Sequence, residues 1–350
     1  MLAAYIDINK KLKVVNTEKP KIKKNHSLIK MIASGICASD ISTIKGINPM
    51  ATYPRIPGHE SIGEIISTKG TSSFEIGDYV TVFPGKGCNK CTNCKKGFIN
   101  HCKTFQVVGC NYLNGVFSEY YIFPNSQLIK VRKELQNNYG ALIEPFACGI
   151  HINNKLPKIQ NSKILIIGFG VIGLICGIIA KHNGIKDITF IDKNINRKSQ
   201  IKKFGFKKFV HLNNKIDYDF FSQEFSSIID TVSNEKTINM SIEFLKPNGT
   251  CVQVGLPTSD ILINYKEIFK KELQIKASRM YFISDFYDAM EIMINNLDSV
   301  KKIITSEYRI DQFLTAYDKV INNSGDQIKI IIKNKSNLIS RIIYNFIICC

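Results

Sequence analysis

The chain has 350 residues, 44% of them hydrophobic and 22% charged, a composition typical of a globular protein with about two domains. Its apolar runs are shorter than the roughly 20 residues that span a bilayer, and the N-terminus lacks the pattern of a secretory signal, so we expect a soluble cytoplasmic protein. The formal charge of +18 comes from scattered lysines without an aromatic-and-basic motif, and we therefore expect neither a nucleic-acid nor a membrane partner.

The first half of the chain predicts a compact β-rich domain. Short apolar runs such as "ESIGEIIS" and "GDYVTVFPG" alternate with glycine and proline, as in strands joined by loops. Three segments of this half carry candidate metal ligands or catalytic groups, namely "GICASD" with Cys37, Ser39 and Asp40, "GHE" with His59 and Glu60, and "ALIEPFACGIH" with Glu144. A thiolate, an imidazole and carboxylates are the mixed ligands of an open catalytic zinc site.

Four cysteines of the same half follow one another at metal-ligand spacing. They are Cys88, Cys91, Cys94 and Cys102, in the pattern C-x2-C-x2-C-x7-C. Four thiolates suit a closed tetrahedral zinc site, whose role is structural because no coordination position is left for a substrate. An iron–sulfur cluster uses the same ligands and is the chemical alternative. Disulfides are not expected in a long chain without a secretory signal.

From about Lys163 strands alternate with helices, which predicts a parallel sheet with crossover helices. The first strand-to-helix turn, "KILIIGFGVIG", contains G-x-G-x-x-G, in which the glycines permit a tight turn, close approach of a pyrophosphate and close helix packing. Asp192 ends the next strand, where a carboxylate binds the adenosine ribose and disfavours a 2′-phosphate, so NAD is expected rather than NADP. The predicted nucleotide-binding residues are Gly168, Gly170, Val171, Ile172, Gly173, Asp192 and Arg197.

With these motifs in this sequence order, from "GICASD" to the glycine-rich turn and Asp192, the chain resembles the zinc-containing medium-chain dehydrogenases/reductases, in particular their polyol and sugar-acid branch. The resemblance extends from about Leu28 to Lys333. It implies an α/β fold with a GroES-like β-rich catalytic domain, residues 1–149 and 285–334, interrupted by a Rossmann NAD-binding domain, residues 150–284. No role is predicted for the tail, residues 335–350.

The resemblance also assigns roles to the candidate residues. It implies that Cys37, His59 and Glu60 hold a catalytic zinc, with Glu144 as an alternate ligand or a partner of the zinc-bound water. Ser39 would relay a proton and Asp40 would orient His59. The cofactors implied are NAD and two zinc ions per chain, one catalytic and one structural. The family's active site lies in a cleft between the two domains, and relatives form homodimers or homotetramers.

The expected reaction is hydride transfer from a secondary alcohol of a small polyol or sugar acid to NAD. Arg279 is a candidate partner for a substrate carboxylate, although a solvated arginine explains it equally well. L-threonine 3-dehydrogenase and general alcohol dehydrogenase activities are the enzymatic alternatives. A zinc- and nucleotide-binding protein without turnover is the alternative from another class.

Overall fold

The computed structural model describes residues 1–157, 162–212, 224–257, 259–322 and 325–334. It divides the chain into two compact units, the first formed by Met1–Glu144 together with the residues from Ile303 on, and the second by Pro145–Lys302. The predicted combination of a β-rich part and a parallel-sheet part is confirmed. The tail, residues 335–350, lies outside the described residues.

The first unit is built around a seven-stranded sheet in which β16, β17, β3, β4, β5 and β9 are neighbours in that order and β8 also pairs with β3. Two further two-stranded sheets pair β1 with β2 and β6 with β7. The strands are β1 Leu2–Ile6, β2 Leu12–Asn16, β3 His26–Gly35, β4 Glu60–Lys69, β5 Tyr79–Val82, β6 Gly85–Lys86, β7 Gln106–Val107, β8 Tyr120–Pro124, β9 Leu128–Lys130, β16 Ile304–Arg309 and β17 Lys329–Lys333.

Alternate residues of the long strands in this unit form its apolar core. Ile29 and Met31 of β3 lie on one face and pack with Ile65 of β4 and with Phe117 and Phe123. This alternation follows from the two-residue period of a strand, which places every second side chain on the same face. Among the described residues, the α-helices that lie wholly in this unit are α1 Ala38–Ile44, α2 Thr92–Lys95 and α10 Phe313–Ile321.

The second unit contains a six-stranded parallel sheet with the order β12-β11-β10-β13-β14-β15. Its strands read as almost continuous apolar runs, such as "KILII", because helices cover both faces of a parallel sheet. The strands are β10 Lys163–Ile167, β11 Asp187–Asp192, β12 Lys208–His211, β13 Phe225–Asp230, β14 Leu245–Gln253 and β15 Gln274–Ala277.

In the described part of this unit and at its boundaries, the α-helices are α3 Ile143–Asn153, α4 Val171–His182, α5 Arg197–Lys203, α6 Glu235–Phe244, α7 Tyr265–Lys271, α8 Ile283–Asn295 and α9 Leu297–Ile303. Among the described residues no helix is both long and apolar enough to cross a membrane.

The chain returns to the first unit at Ile303, later than the predicted boundary at residue 285. Helix α8 belongs to the second unit, and its buried face includes Phe286 and Met290. Asp285 anchors its first turn, since one carboxylate oxygen accepts from the Phe282 amide at 2.7 Å and contacts His151 Nδ1 at 3.1 Å. The first boundary falls at Glu144, five residues before the predicted one.

Candidate metal and nucleotide sites

The pairing of β3 with β4 brings together two of the sequence segments that carry candidate ligands. These strands are antiparallel, and Gly35 at the end of β3 lies opposite Glu60 at the start of β4. Cys37 follows β3 as the N-cap residue of α1, and His59 directly precedes β4. The register therefore places a cysteine and a histidine 22 positions apart in sequence at the same end of the sheet.

Three candidate ligand atoms meet at this end of the sheet. Cys37 Sγ, a ring nitrogen of His59 and a carboxylate oxygen of Glu60 all lie within 4.8 Å of one another. His59 and Glu60 are buried, with 9% and 1% of their surfaces exposed. A thiolate, an imidazole and a carboxylate fit a zinc ion that keeps a coordination position for substrate.

Asp40 ties both halves of this ligand group together. One of its carboxylate oxygens accepts from the Cys37 amide at 2.9 Å, and the other accepts from the Gly58 amide at 3.1 Å. The second oxygen also lies 3.2 Å from His59 Nδ1. A carboxylate on one ring nitrogen fixes the imidazole and leaves the other nitrogen for a metal.

The surroundings of His59 favour a positive charge. Burial opposes the charged ring, but the Asp40 carboxylate and then Cys37 raise the pKa of His59 well above its usual value. Because a proton and a metal ion respond to the same negative potential, this position is suited to a cation.

The two other candidates of this group lie close to it. Ser39 is exposed, and its hydroxyl donates to Cys37 Sγ at 3.3 Å. Glu144 is buried in the first turn of α3, but its carboxylate is not part of the three-atom ligand group. Glu144 nevertheless acts electrostatically on the next residue of interest, Lys329.

Sequence reasoning missed Lys329, the first residue of β17. Its ammonium contacts both carboxylate oxygens of Glu60, Oε1 at 2.6 Å and Oε2 at 2.5 Å. Burial opposes its charge, but the negative charges of Glu60, Cys37 and Glu144 raise the pKa of Lys329 above its usual value. The only signal in the sequence is a lysine at the start of the apolar strand "KIIIK", and such a lysine requires a buried acidic partner.

The four cysteines form the second ligand group predicted from the sequence. The Sγ atoms of Cys88, Cys91, Cys94 and Cys102 lie within 4.8 Å of one another. Backbone amides point at the sulfurs, as in the contact from Cys91 N to Cys88 Sγ at 3.3 Å. Such amides stabilise thiolates, and four sulfur ligands fit a structural zinc ion.

The thiols of this group do not ionise alike. Hydrogen bonds from the Thr104 hydroxyl and the Cys88 amide lower the pKa of Cys102 to about 6, whereas burial raises the pKa of Cys94 to about 11. Four adjacent thiolates would repel one another, so a bound cation would stabilise the fully deprotonated group.

The glycine-rich turn lies between β10 and α4, as predicted. Gly168 has a φ of +92°, and a Cβ atom at Gly173 would lie 2.0 Å from the Gly168 carbonyl oxygen, so both positions require glycine. A Cβ at Gly170 would meet nothing within 4 Å. This open space beside the first turn of α4, which begins at Val171 and Ile172, fits a dinucleotide pyrophosphate.

Asp192 ends β11 and supports this turn. Its carboxylate accepts from the Phe169 amide at 2.7 Å and from the Asn194 amide at 2.8 Å. Arg197 begins α5 and donates to Gln200 Oε1 at 2.7 Å. Arg279 is exposed and follows β15 in the second unit, whereas Cys37 and His59 belong to the first unit.

Two family models match the chain on either side of the unit boundary. Residues 23–133 match the alcohol dehydrogenase GroES-like domain, and residues 171–295 match the zinc-binding dehydrogenase domain. The chain belongs to the zinc-containing medium-chain dehydrogenases. It is therefore an oxidoreductase with zinc and a nicotinamide dinucleotide as cofactors, and the predicted GroES-like and Rossmann domains are confirmed.

Curated relatives match over most of the chain. L-galactonate-5-dehydrogenase of Escherichia coli K12 is 28% identical over 310 residues, which cover 87% of this chain and 91% of the relative. Sorbitol dehydrogenase 2 of Saccharomyces cerevisiae is 27% identical, and the alignment covers 89% of this chain and 92% of the relative. An L-threonine 3-dehydrogenase of Aliivibrio fischeri is also 27% identical, and the alignment covers 91% of this chain and 94% of that relative.

Solved structures share the fold. A protein of E. coli CFT073, described as a short chain alcohol dehydrogenase complexed with NADH, superimposes with a TM-score of 0.88 at 24% identity. The superposition covers 95% of this chain and 99% of that protein.

Replacing Asp40 tests how the dehydrogenase holds its ligands. We expect Asp40→Ala to lower zinc affinity at the Cys37–His59 group by about 10- to 100-fold, because it removes the orienting carboxylate. Zinc content after dialysis against a graded chelator series measures the change. Asp318→Ala, at an exposed position of the same unit, serves as the control and retains wild-type zinc content. Equal zinc retention in the two variants would contradict the role given to Asp40.

Two glycine variants separate folding from nucleotide binding. We expect Gly170→Ala to fold normally but to bind NAD at least about tenfold more weakly, because its methyl group enters the space left for the pyrophosphate. Gly173→Ala should instead lower the unfolding midpoint, since its methyl group collides with the Gly168 carbonyl. Urea unfolding and NAD titration distinguish the two effects, and parallel losses in both variants would argue against this division.

Proposed function

We propose that the dehydrogenase oxidises a secondary alcohol of a polyol or sugar acid, with NAD as the hydride acceptor. The observation that carries the proposal is the group formed by Cys37, His59 and Glu60, with Asp40 behind His59. When bound there, zinc supplies Lewis acidity toward a hydroxyl oxygen. The relatives named for L-galactonate and sorbitol support this substrate class.

The side chains in and around this group have separate proposed roles in metal binding, ligand orientation and proton transfer. Cys37, His59 and Glu60 hold the metal, and Asp40 keeps the His59 ring in one orientation. Ser39 is proposed to pass the substrate proton toward solvent, which its exposure and its hydrogen bond to Cys37 support. Glu144 adds a buried negative charge near the group and is proposed as an alternate ligand or a partner of the zinc-bound water.

NAD is the proposed cofactor because of Asp192. A carboxylate has about four lone-pair positions, and Asp192 uses two of them for the Phe169 and Asn194 amides. The other two remain for ribose hydroxyls, while a 2′-phosphate would be repelled by the charge. Gly168, Gly170 and Gly173 would receive the pyrophosphate.

L-threonine 3-dehydrogenase activity is the second candidate, because a relative of that name matches this chain at the same identity as the sorbitol dehydrogenase. The two substrate classes differ in charge, since a sugar acid carries a carboxylate without an ammonium group. We propose that Arg279, an exposed arginine of the second unit, pairs with that carboxylate.

A substrate panel tests the proposed reaction. We expect NADH formation with a sugar acid such as L-galactonate or with sorbitol, and its loss when a chelator removes zinc. Arg279→Ala should raise the KM for L-galactonate about tenfold and leave the KM for sorbitol unchanged, as expected for one charge-assisted pair. Turnover of L-threonine alone would favour the second candidate. Intact NAD binding with no turnover of any substrate, and zinc only in the four-cysteine site, would favour a non-catalytic protein.

We also propose a homodimer or homotetramer of a cytoplasmic enzyme. Strand β15 is an edge of the six-stranded sheet, and Ile275 on it is 39% exposed. Tyr265 and Phe269 of the preceding helix are 67% and 74% exposed. A strand that has a neighbour on only one side among the described residues, flanked by exposed apolar groups, is suited to pairing with a second copy. In the cytoplasm, reduced thiols would keep the four-cysteine site available for zinc.

Charge insertion at this edge tests the oligomer. We expect the double variant Phe269→Lys with Ile275→Lys to sediment as a smaller species than the wild type. Ile8→Lys places the same charge on an exposed apolar residue of the first unit and should not change the sedimentation coefficient. A wild-type protein that sediments as a monomer would overturn the proposal.

A further inference from the structure

Ser233 follows β13 in a backbone conformation that favours glycine. Its φ is +55°, in the left-handed region, and only 2% of the residue is exposed. A serine in this region is strained where a glycine is not, because its Cβ atom crowds the backbone. A strained residue of this kind persists only where the surrounding structure holds it in place. The group that a glycine could not supply at this position is the hydroxyl.

The Ser233 hydroxyl joins the turns that follow two neighbouring strands. It donates to the carbonyl oxygen of Asp230, the last residue of β13, at 3.1 Å. It also accepts from the amide of Gly255, two residues after β14, at 3.0 Å. A Cβ atom at Gly255 would lie 2.6 Å from the Val232 carbonyl oxygen and 3.0 Å from Ser233 Cβ, so the two turns are in close contact.

The turn after β13 is also held on its other side. The Asp230 carboxylate accepts from the amides of Val232 and Ser233, both at 2.9 Å. The Thr231 hydroxyl donates to the carbonyl oxygen of Ile167, the last residue of β10, at 2.8 Å. Two hydroxyls of one turn therefore connect the carboxyl ends of three adjacent strands, β10, β13 and β14.

These turns lie at the point where the strand order of the parallel sheet reverses. The chain runs outward from β10 to β11 and β12, and then continues on the other side of β10 with β13, β14 and β15. A dinucleotide binds outside the carboxyl ends of the strands at such a point, with one mononucleotide on each half of the sheet. Asp192 places the adenosine ribose on the half that contains β11, which leaves the turns after β13 and β14 for the nicotinamide nucleotide.

We propose that Ser233 is a positioning residue that fixes the spacing between the turns after β13 and β14 and so preforms the crevice for the nicotinamide nucleotide. It acts through the Gly255 amide rather than by contact with the reacting atoms. Turns that are already ordered need not lose conformational freedom when the cofactor binds, which favours affinity. The inference rests on the nicotinamide dinucleotide as cofactor, and it holds whichever alcohol the enzyme oxidises.

Two substitutions separate the hydroxyl from the backbone strain. Ser233→Gly removes both the hydroxyl and the strain, whereas Ser233→Ala removes the hydroxyl and keeps the strained backbone. Urea unfolding should therefore show a lower midpoint for the alanine variant than for the glycine variant. We expect both variants to bind NADH about fivefold more weakly than the wild type, because both lack the same hydrogen bonds. Titration of NADH fluorescence measures this affinity without turnover.

A matched control tests the effect of strain alone. Glu272 has a φ of +51°, is exposed, and precedes β15, so it lies at the opposite end of the parallel sheet from Ser233. Glu272→Gly should leave the affinity for NADH unchanged and should not lower the unfolding midpoint. Weaker NADH binding in this control would show that a left-handed residue affects the cofactor through general stability.

ADP distinguishes the two halves of the nucleotide site, because it contains the adenosine half and lacks the nicotinamide nucleotide. We expect both Ser233 variants to bind ADP as tightly as the wild type in calorimetric titration. NADH affinity that is unchanged in both variants, or that decreases in proportion to the unfolding midpoint, would overturn the inference. An equal loss of affinity for ADP and NADH would also overturn it. A wild-type chain that binds neither nucleotide would instead overturn the nucleotide site itself.

Discussion

The register of three adjacent strands, β17, β3 and β4, is the constraint on which the metal site depends. Gly35 of β3 lies between Ile331 of β17 and Glu60 of β4. A shift of one residue in either pairing would turn the side chains of that strand to the opposite face of the sheet. Apolar residues on one face of each strand belong to the same buried core, among them Met31, Ile65 and Ile332, so the hydrophobic effect favours this register. The site geometry is therefore stabilised by packing rather than by the ligands alone.

Charge balance in a buried space is the second organising feature. Asp40, Glu60 and Lys329 are all at most 3% exposed, and isolated charges at such depth are strongly unfavourable. Each carboxylate is compensated, Asp40 by two backbone amides and His59, and Glu60 by Lys329. The arrangement fixes the orientation of the His59 ring and pairs Glu60 with the Lys329 ammonium. The two carboxylates next to the ligands thus have different physical roles.

Close backbone approach recurs in both units. In the first unit, the absence of a side chain at Gly35 admits the Glu60–Lys329 pair. In the second unit, Gly173 lets α4 approach the turn after β10, and Gly170 leaves the space beside that turn open. A side chain at Gly35 or Gly173 would collide with other atoms of the protein, whereas a Cβ atom at Gly170 would have no described protein atom within 4 Å. A glycine without a structural requirement is therefore the stronger indication of a bound ligand.

The sequence by itself determined the fold class, the glycine turn and the four-cysteine group, because these signals are local: strand and helix periods, G-x-G-x-x-G and ligand spacing. It also supplied Cys37, His59 and Asp40 as candidates. Only the tertiary structure decided that Lys329, 269 positions from Glu60, is its partner, and that α8 remains with the second unit. Strand pairing and helix packing connect residues far apart in the chain, and a single sequence carries no local signal for such contacts.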